Sequence, residues 1–391
     1  MPSYFQPKRN QKNAPSFTML WHPLKPIIPD TPILKSKGDR PLQMNFEEQL
    51  KSLVYFHLEE HQSAAHLLQV LDEDEFAREH IAPEDGIKKS SFSEAINSRG
   101  LEQMTYVFQE LQKKATNVLP KEYAHLGNLV AIDGSLIDAV LSMHWADYRK
   151  SSKKAKIHLG FDLNRSIPLK LYLTNGKQGE RPFVSQVLST DQTGVLDRGY
   201  QCHELFDAWQ EEDKKFVCRI RANTKKTALQ YNEFNPESFV FYDAIVLLGT
   251  PKVNQTQKNI RLVGYRVDNK DYWVATNRYD LAAEDIALIY KLRWQIEKFF
   301  AWWKKHLKVY HLIARSQYGL MIQILSGLIT YLLLAIYCYE QHYEKVSIKR
   351  VRELRNKIQN ELRNLGDPDV NADYFNEQCK INDSEQKYAN T

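Results

Sequence analysis

The stretch YKLRWQIEKFFAWWKKHLKVY, residues 290–310, decides how this chain is read. At about 100° per residue on an α-helix, Tyr290, Arg293, Glu297 and Lys304 fall within roughly 60° of arc. Ile289, Leu292, Ile296, Phe299, Phe300, Trp303 and Leu307 occupy a neighbouring arc of about 100°. Such a helix packs one face into a core and presents beside it a carboxylate, two cations and a phenol. That set suits metal and phosphate chemistry. It equally describes an amphipathic surface helix with scattered charges, and the segment alone leaves both readings open.

Two further segments bear on the choice. Leu129-Val130-Ala131-Ile132-Asp133-Gly134-Ser135 reads as a short buried strand that ends on an acid and a turn glycine. Gly194-Val195-Leu196-Asp197-Arg198-Gly199-Tyr200 has the same form. Each puts a carboxylate at the C-terminal end of an apolar strand, where open α/β sheets place ligand-binding groups. Acids also follow strands as turn and cap residues, so neither segment is specific by itself. With Glu297 they make a spread triad of carboxylates, a set that can hold two Mg²⁺ or Mn²⁺ ions for an in-line phosphoryl displacement.

The Tyr-x2-Arg-x3-Glu-x6-Lys spacing resembles the signature of bacterial insertion-sequence transposases of the DDE type. In that family the Glu is the third acid of a catalytic triad on a ribonuclease-H-like core. The first acid sits in an apolar-Asp-Gly-Ser/Thr segment, similar to IDGS at 132–135, and the second in Asp-Arg-Gly-Tyr, present as residues 197–200. The resemblance covers roughly residues 125–340. It implies an α/β fold, a ribonuclease-H-like core with an inserted β-rich subdomain, preceded by an α-helical N-terminal domain. One stretch departs from the family: where many relatives have Gly-Lys and then His-Asp, this chain has Gly176-Lys177-Gln178-Gly179-Glu180-Arg181. The triad is untouched by this, but the subgroup is left open.

Composition agrees. A chain of 391 residues with 43% hydrophobic residues can bury a large core and is long for one domain. Lys+Arg 53 against Asp+Glu 48 gives +5, a mild basic excess that permits nucleic-acid binding without requiring it. Cys202, Cys218, Cys338 and Cys379 are scattered with no CxxC pair, which argues for a reducing compartment and against structural zinc. No secretory signal is read in the polar opening residues, which carry Lys8, Arg9 and Lys12, and no GxxxxGK[ST] loop points to ATP. The uncharged run Leu320–Tyr339 is about long enough to span a bilayer. Gln323, Ser326 and Thr330 interrupt it, and the resemblance implies a buried helix behind the core.

Along the chain, proline-rich residues 1–40 read as a flexible basic arm. Residues 41–125 read as a helical DNA-binding domain: one helix over 46–71, one opening at Ser90-Ser91 with a serine cap, and one from about Leu101 to Ala115. A plain helical bundle fits the same pattern. Strands are expected at Leu129–Asp133, Ile157–Leu163 and Leu169–Thr174, a helix at Phe183–Leu188, the strand ending at Asp197, a helix at His203–Glu212 and a strand at Phe216–Ile220. This is the ribonuclease-H-like order, so residues 126–221 and 277–340 are assigned to the catalytic core and 222–276 to a β-strand insertion. Residues 341–391 form a C-terminal basic helix and tail.

The resemblance implies that Asp133, Asp197 and Glu297 are catalytic and bind two Mg²⁺ or Mn²⁺ ions. Arg293 and Lys304, exposed beside Glu297, would hold phosphates, and Tyr290 would bond a backbone oxygen or stack on a base. In hairpin-forming relatives a tryptophan near the place of Trp273 stacks on a flipped base. Arg219 and Arg221, with Lys225 and Lys226, would line a DNA channel, and His158 is a minor candidate ligand. The expected protein is a cytoplasmic, nucleoid-associated, insertion-sequence DNA transposase. It would act as a homodimer on terminal inverted repeats and target DNA, away from membranes. A stand-alone metal nuclease of the same fold and a DNA-binding protein with a decayed core are the rivals.

Overall fold

The computed structural model describes residues 15–35, 41–150 and 152–363. Its centre is a ten-stranded mixed sheet: β1 Asn128–Ala139, β2 Asp147–Arg149, β3 Ser152–Asp162, β4 Ile167–Asn175, β5 Gln192–Leu196, β6 Lys215–Arg219, β7 Lys226–Tyr231, β8 Val240–Leu248, β9 Ile260–Val267 and β10 Lys270–Thr276. β3 pairs β1 antiparallel and carries β4 on its other side, while β1, β5 and β6 run parallel. Runs of Val, Ile, Leu and Ala in β1 and β5 suit strands buried on both faces. The helices are α1 Pro15–Trp21, α2 Phe46–Leu58, α3 Ala64–Glu73, α4 Lys89–Ser98, α5 Leu101–Val118, α6 Phe183–Val187, α7 His203–Glu211, α8 Ala283–Leu292, α9 Trp294–His306, α10 Gln317–His342 and α11 Ile348–Arg363. This mixed α/β arrangement, with its strand order, is consistent with the expected ribonuclease-H-like transposase fold.

Several expectations are corrected. Residues 15–30 are not a flexible arm: they are helical, and Phe17, Leu20, Trp21, Leu24 and Ile27 are buried in the main core. The rest of the expected arm and the C-terminal tail beyond 363 lie outside the described residues. The single helix over 46–71 is two, with a break at residues 59–63. The first is nucleated by a capping box in which Asn45 Oδ1 accepts from Glu48 N (2.9 Å) and Glu48 Oε2 accepts from Asn45 N (2.7 Å). No serine caps α4, which begins at Lys89 without a side-chain cap. Gly134 is not a turn residue either. β1 runs straight through Asp133-Gly134-Ser135, because β3 pairs it as far as Ala139↔Lys153.

The strands of residues 222–276, read as a β insertion, extend the central sheet in the order β6-β10-β9-β8-β7, through antiparallel pairing of β10 to β6. Strand β7 escapes the sequence pattern because its side chains are almost all exposed. A buried ion pair pins the extension down. Arg261 Nε and Nη2 donate to Asp243 at 3.1 and 2.7 Å, and Arg261 Nη1 reaches the carbonyls of Arg278 and Leu281 just ahead of α8.

The apolar run 320–339 lies within α10, which is long and apolar enough to cross a membrane; 94% of its most apolar window is buried inside the protein. It packs against α1, α2, α4, α5 and β4. Its interrupting polar residues are satisfied: Gln323 Nε2 donates to the carbonyls of Val309 and His311, and Thr330 Oγ1 to that of Ser326. His57 on α2 joins this network through Leu307 O (2.6 Å) and Ser326 Oγ (3.1 Å), and burial pushes its imidazole down to about 4. α11 buries Val351, Leu354 and Ile358, while Arg350 and Arg355 are engaged by Glu344, Glu353 and Glu60. Its basic face is thus partly spent on the protein itself.

Removing one partner of a buried, bidentate ion pair leaves an uncompensated charge. Asp243→Ala should therefore destabilise the whole protein by about 3–5 kcal/mol, read as a lower urea midpoint. A loss confined to the outer strands, with the remainder unfolding as in the wild type, would mean that the extension is an independent unit.

Candidate active site

Pairing of β5 to β1 ends at Ala131↔Val195, so the edge of β1 is open at Asp133 and the chain leaves β5 at Asp197. This notch sits between parallel strands at the point where the sheet changes direction, the usual ligand site of an open α/β sheet. Side chains alternate along strands. Asp133 shares a face with Ala131, and Asp197 with Val195, both in the core that α8, α9 and α10 cover. Asp197 Oδ1 accepts from Gly199 N (2.7 Å), which fixes the turn after β5.

Burial raises the Asp133 carboxyl from its ordinary 3.8 to about 7; Gly134 N and the Arg293 guanidinium oppose the rise, while Glu180 and Asp197 add to it. Asp133 therefore lies within electrostatic reach of two carboxylates and one arginine. Carboxylate oxygens are the hard donors that a divalent cation takes. Among the described residues, however, no three acidic, His or Cys side chains are gathered so that they could hold a metal ion. Glu297 is instead turned to Arg293.

The signature quartet occupies two helices rather than one. α8 ends at Leu292 and α9 starts at Trp294, with tightened i→i+3 bonds from Arg293 N to Tyr290 O and from Ile296 N to Arg293 O, both 3.2 Å. Arg293 sits at the joint. Its expected exposure is corrected: it is 6% exposed, because its Nη2 is paired with Glu297 Oε1 (2.6 Å) and its guanidinium lies against the Tyr290 and Trp294 rings. Its Nε is buried without a partner. Tyr290 is also buried, its hydroxyl between Arg293 and Arg219, and burial raises its pKa. Lys304 donates to Leu136 O (2.5 Å) on β1, just beyond Asp133, and burial lowers its pKa.

Arg219 stands on the same face as Asp197, its guanidinium 4.7 Å from the Tyr272 ring, and Arg221 is exposed at the end of the strand. Trp273 is half-buried, but the alternation of β10 turns it to the opposite face, where it packs beside Phe241, Tyr242 and Lys226. Its expected position toward the site is corrected. Tyr272 faces the site instead, near Tyr290. His158 is also on the far face, stacked on Phe183 and bonded to Thr174 Oγ1. Sequence reasoning missed Glu180, Lys156 and the role of Tyr200. Glu180 lies in the departing stretch 176–181, which marked the place without revealing that the loop folds back on β1.

Residues 125–333, more than half of the chain, match the family model for the transposase DDE domain. The chain is 28% identical over 208 residues to a probable transposase for an insertion sequence element of Geobacillus stearothermophilus, covering 52% of this chain and 54% of the relative. Two others carry names of the same kind. An insertion-sequence transposase of a Synechocystis strain is 24% identical over 68% of this chain and 76% of its own length. A Sinorhizobium fredii transposase is 26% identical over 49% and 56%. The match thus spans about half the length of two of these relatives.

Between about pH 4 and 7 the folded chain holds a proton on Asp133 that the unfolded chain releases, so ionising this carboxyl costs stability as pH rises through that window. Carboxyl-carbon NMR should show Asp133 titrating near 7 in the metal-free protein. Arg293→Ala should raise that value and Asp197→Asn should lower it. A midpoint near 4 would contradict the geometry.

Proposed function

This chain belongs to the transposase DDE-domain family, and from that premise we propose that it is an insertion-sequence DNA transposase. It would cut the terminal inverted repeats of its element and join them to target DNA, with Asp133, Asp197 and Glu297 as the catalytic carboxylates. The observation that carries this reading is the notch, where the Asp133 carboxyl is held up to about 7 by burial and by neighbouring acids. The family implies dependence on a divalent metal; Mg²⁺ or Mn²⁺, two ions, is our assignment. Bound by the three carboxylates, the metal would supply Lewis-acid stabilisation of the attacking and leaving oxygens.

The chain's own residues do the positioning. Arg293 fixes Glu297 through their ion pair, and its guanidinium also acts on Asp133. Lys304, anchored on Leu136 O, holds a point charge beside β1 for a neighbouring phosphate. Arg219 and Arg221 would contact the DNA backbone, Arg219 being steered by the Tyr272 ring and the Tyr290 hydroxyl. Asp133, freed of its proton, is the group that ionisation of the site makes available. The long apolar helix is engaged inside the protein, in keeping with a cytoplasmic enzyme on nucleoid DNA. Two element ends must be paired, so a homodimer assembled on DNA is part of the proposal.

Asp133→Ala, Asp197→Ala and Glu297→Ala should each reduce cleavage and joining to background while binding of element ends persists in a gel shift. Wild-type protein that cleaves but never joins ends in a strand-transfer assay would favour the stand-alone nuclease. Arg219→Ala should lower the slope of log affinity against log salt by about 1, as expected for one lost phosphate contact.

A further inference from the structure

The loop from Gly176 to Pro182, between β4 and α6, folds against β1 at Gly134, and Glu180 makes the contact. The seat of Glu180 is the one place on β1 where a side chain is missing. A Cβ on Gly134 would lie 2.5 Å from Glu180 Oε1 and 2.6 Å from its Cδ. The carboxylate faces the buried Tyr200 side chain, whose hydroxyl lies in its field, and is 3.3 Å from Lys156 Nζ. Lys156 also donates to Gln178 O (2.9 Å), so it holds the loop at two points. The next residue, Arg181, donates from Nε to Gly199 O (3.0 Å). Gly134 follows Asp133 directly. Gly199 and Tyr200 belong to the turn that Asp197 caps. One short loop thus touches both aspartate-bearing segments, one residue beyond Asp133 and two residues beyond Asp197.

The two segments otherwise part company at this point, since the β1–β5 ladder stops at Ala131↔Val195. Beyond the ladder, no strand pairing sets the distance between Asp133 and Asp197. Tyr200 is buried at 1% exposure, and its hydroxyl lies in the field of Glu180 as well as of Asp133 and Asp197. We propose that Glu180 is a positioning residue, clamping the Asp133 strand to the Asp197 turn through Gly134 and Tyr200 and so setting how tightly the site binds a divalent cation. The proposal rests on the reading of Asp133 and Asp197 as cation ligands.

The test is Mn²⁺ binding to the full chain without DNA, by titration calorimetry, with thermal unfolding recorded for each variant. Glu180→Ala should weaken Mn²⁺ affinity about 10–100-fold, the usual effect of removing a group that orients metal ligands. Glu180→Gln still fills the seat and should stay close to wild type. Gly134→Ala puts a methyl where the carboxylate sits and displaces only the end of a flexible side chain, so it should reproduce the loss seen in Glu180→Ala. The double variant should be no weaker than either single one, because both remove the same clamp. Additive losses, or a lowered unfolding temperature with unchanged Mn²⁺ affinity, would overturn the proposal. Failure of Glu180→Gln to bind would overturn it too, by making the charge itself the acting group. Asp133→Ala and Asp197→Ala run in parallel separate the two readings. If they bind Mn²⁺ normally, the ligand assignment is wrong; if they lose it while Glu180→Ala does not, only the clamp is wrong.

Discussion

The structure around the site depends on where one buried cation can be neutralised. Arg293 is 6% exposed, and a guanidinium so placed must be paired or surrounded by acceptors and aromatic faces. The chain meets that demand with Glu297 one turn on, and with the rings of Tyr290 and Trp294 on either side. The helix gives way at the same point, tightening to i→i+3 bonds, and this separates the Tyr290 turn from the Glu297 helix. Glu297 is consequently positioned by its own neighbour, and the same guanidinium draws on Asp133 across the notch. The arginine of the signature therefore acts inside the protein before any phosphate is present.

The sheet carries the rest of the site. Three parallel strands set Asp133 and Asp197 on one face at the edge where the β1–β5 ladder ends. Strand β10 then pairs with β6, which brings Arg219 and Tyr272 to that same face. Strand β10 thus furnishes one wall of the candidate site. The buried Asp243–Arg261 pair, reaching the carbonyls of Arg278 and Leu281, couples that wall to the start of α8. Behind α8 and α9 lies α10. Its apolar surface is covered by α1, α2, α4 and α5, and residues 15–30 are drawn into the same core.

Much of this was legible in the residues. Apolar runs ending on Asp133 and Asp197, and the spacing of Tyr290, Arg293, Glu297 and Lys304, are local patterns, and local patterns survive in sequence because the periods of strand and helix are fixed. Strands β1, β3, β4, β5 and β6 followed from the same patterns; the short β2 did not. The polar residues in the 320–339 run also pointed to a protein interior, where Gln323 and Thr330 find their partners.

What tertiary structure alone decided is which face and which neighbour each of these residues has. Tyr272 and Trp273 are adjacent and aromatic, and either could have faced the site. Only the register Val274↔Arg219 between β10 and β6 assigns Tyr272 to it, since a shift of one residue exchanges the two faces. Arg293 reads as an exposed phosphate binder until its pairing with Glu297 is seen, because helical spacing reports the arc and not what covers it. Gly134 reads as a turn until β3 is found paired along it, and its missing side chain then has a different use, as the seat of Glu180. Residues 134 and 180 are brought together by a loop that has no periodicity to read, so this contact lay beyond any pattern in the chain.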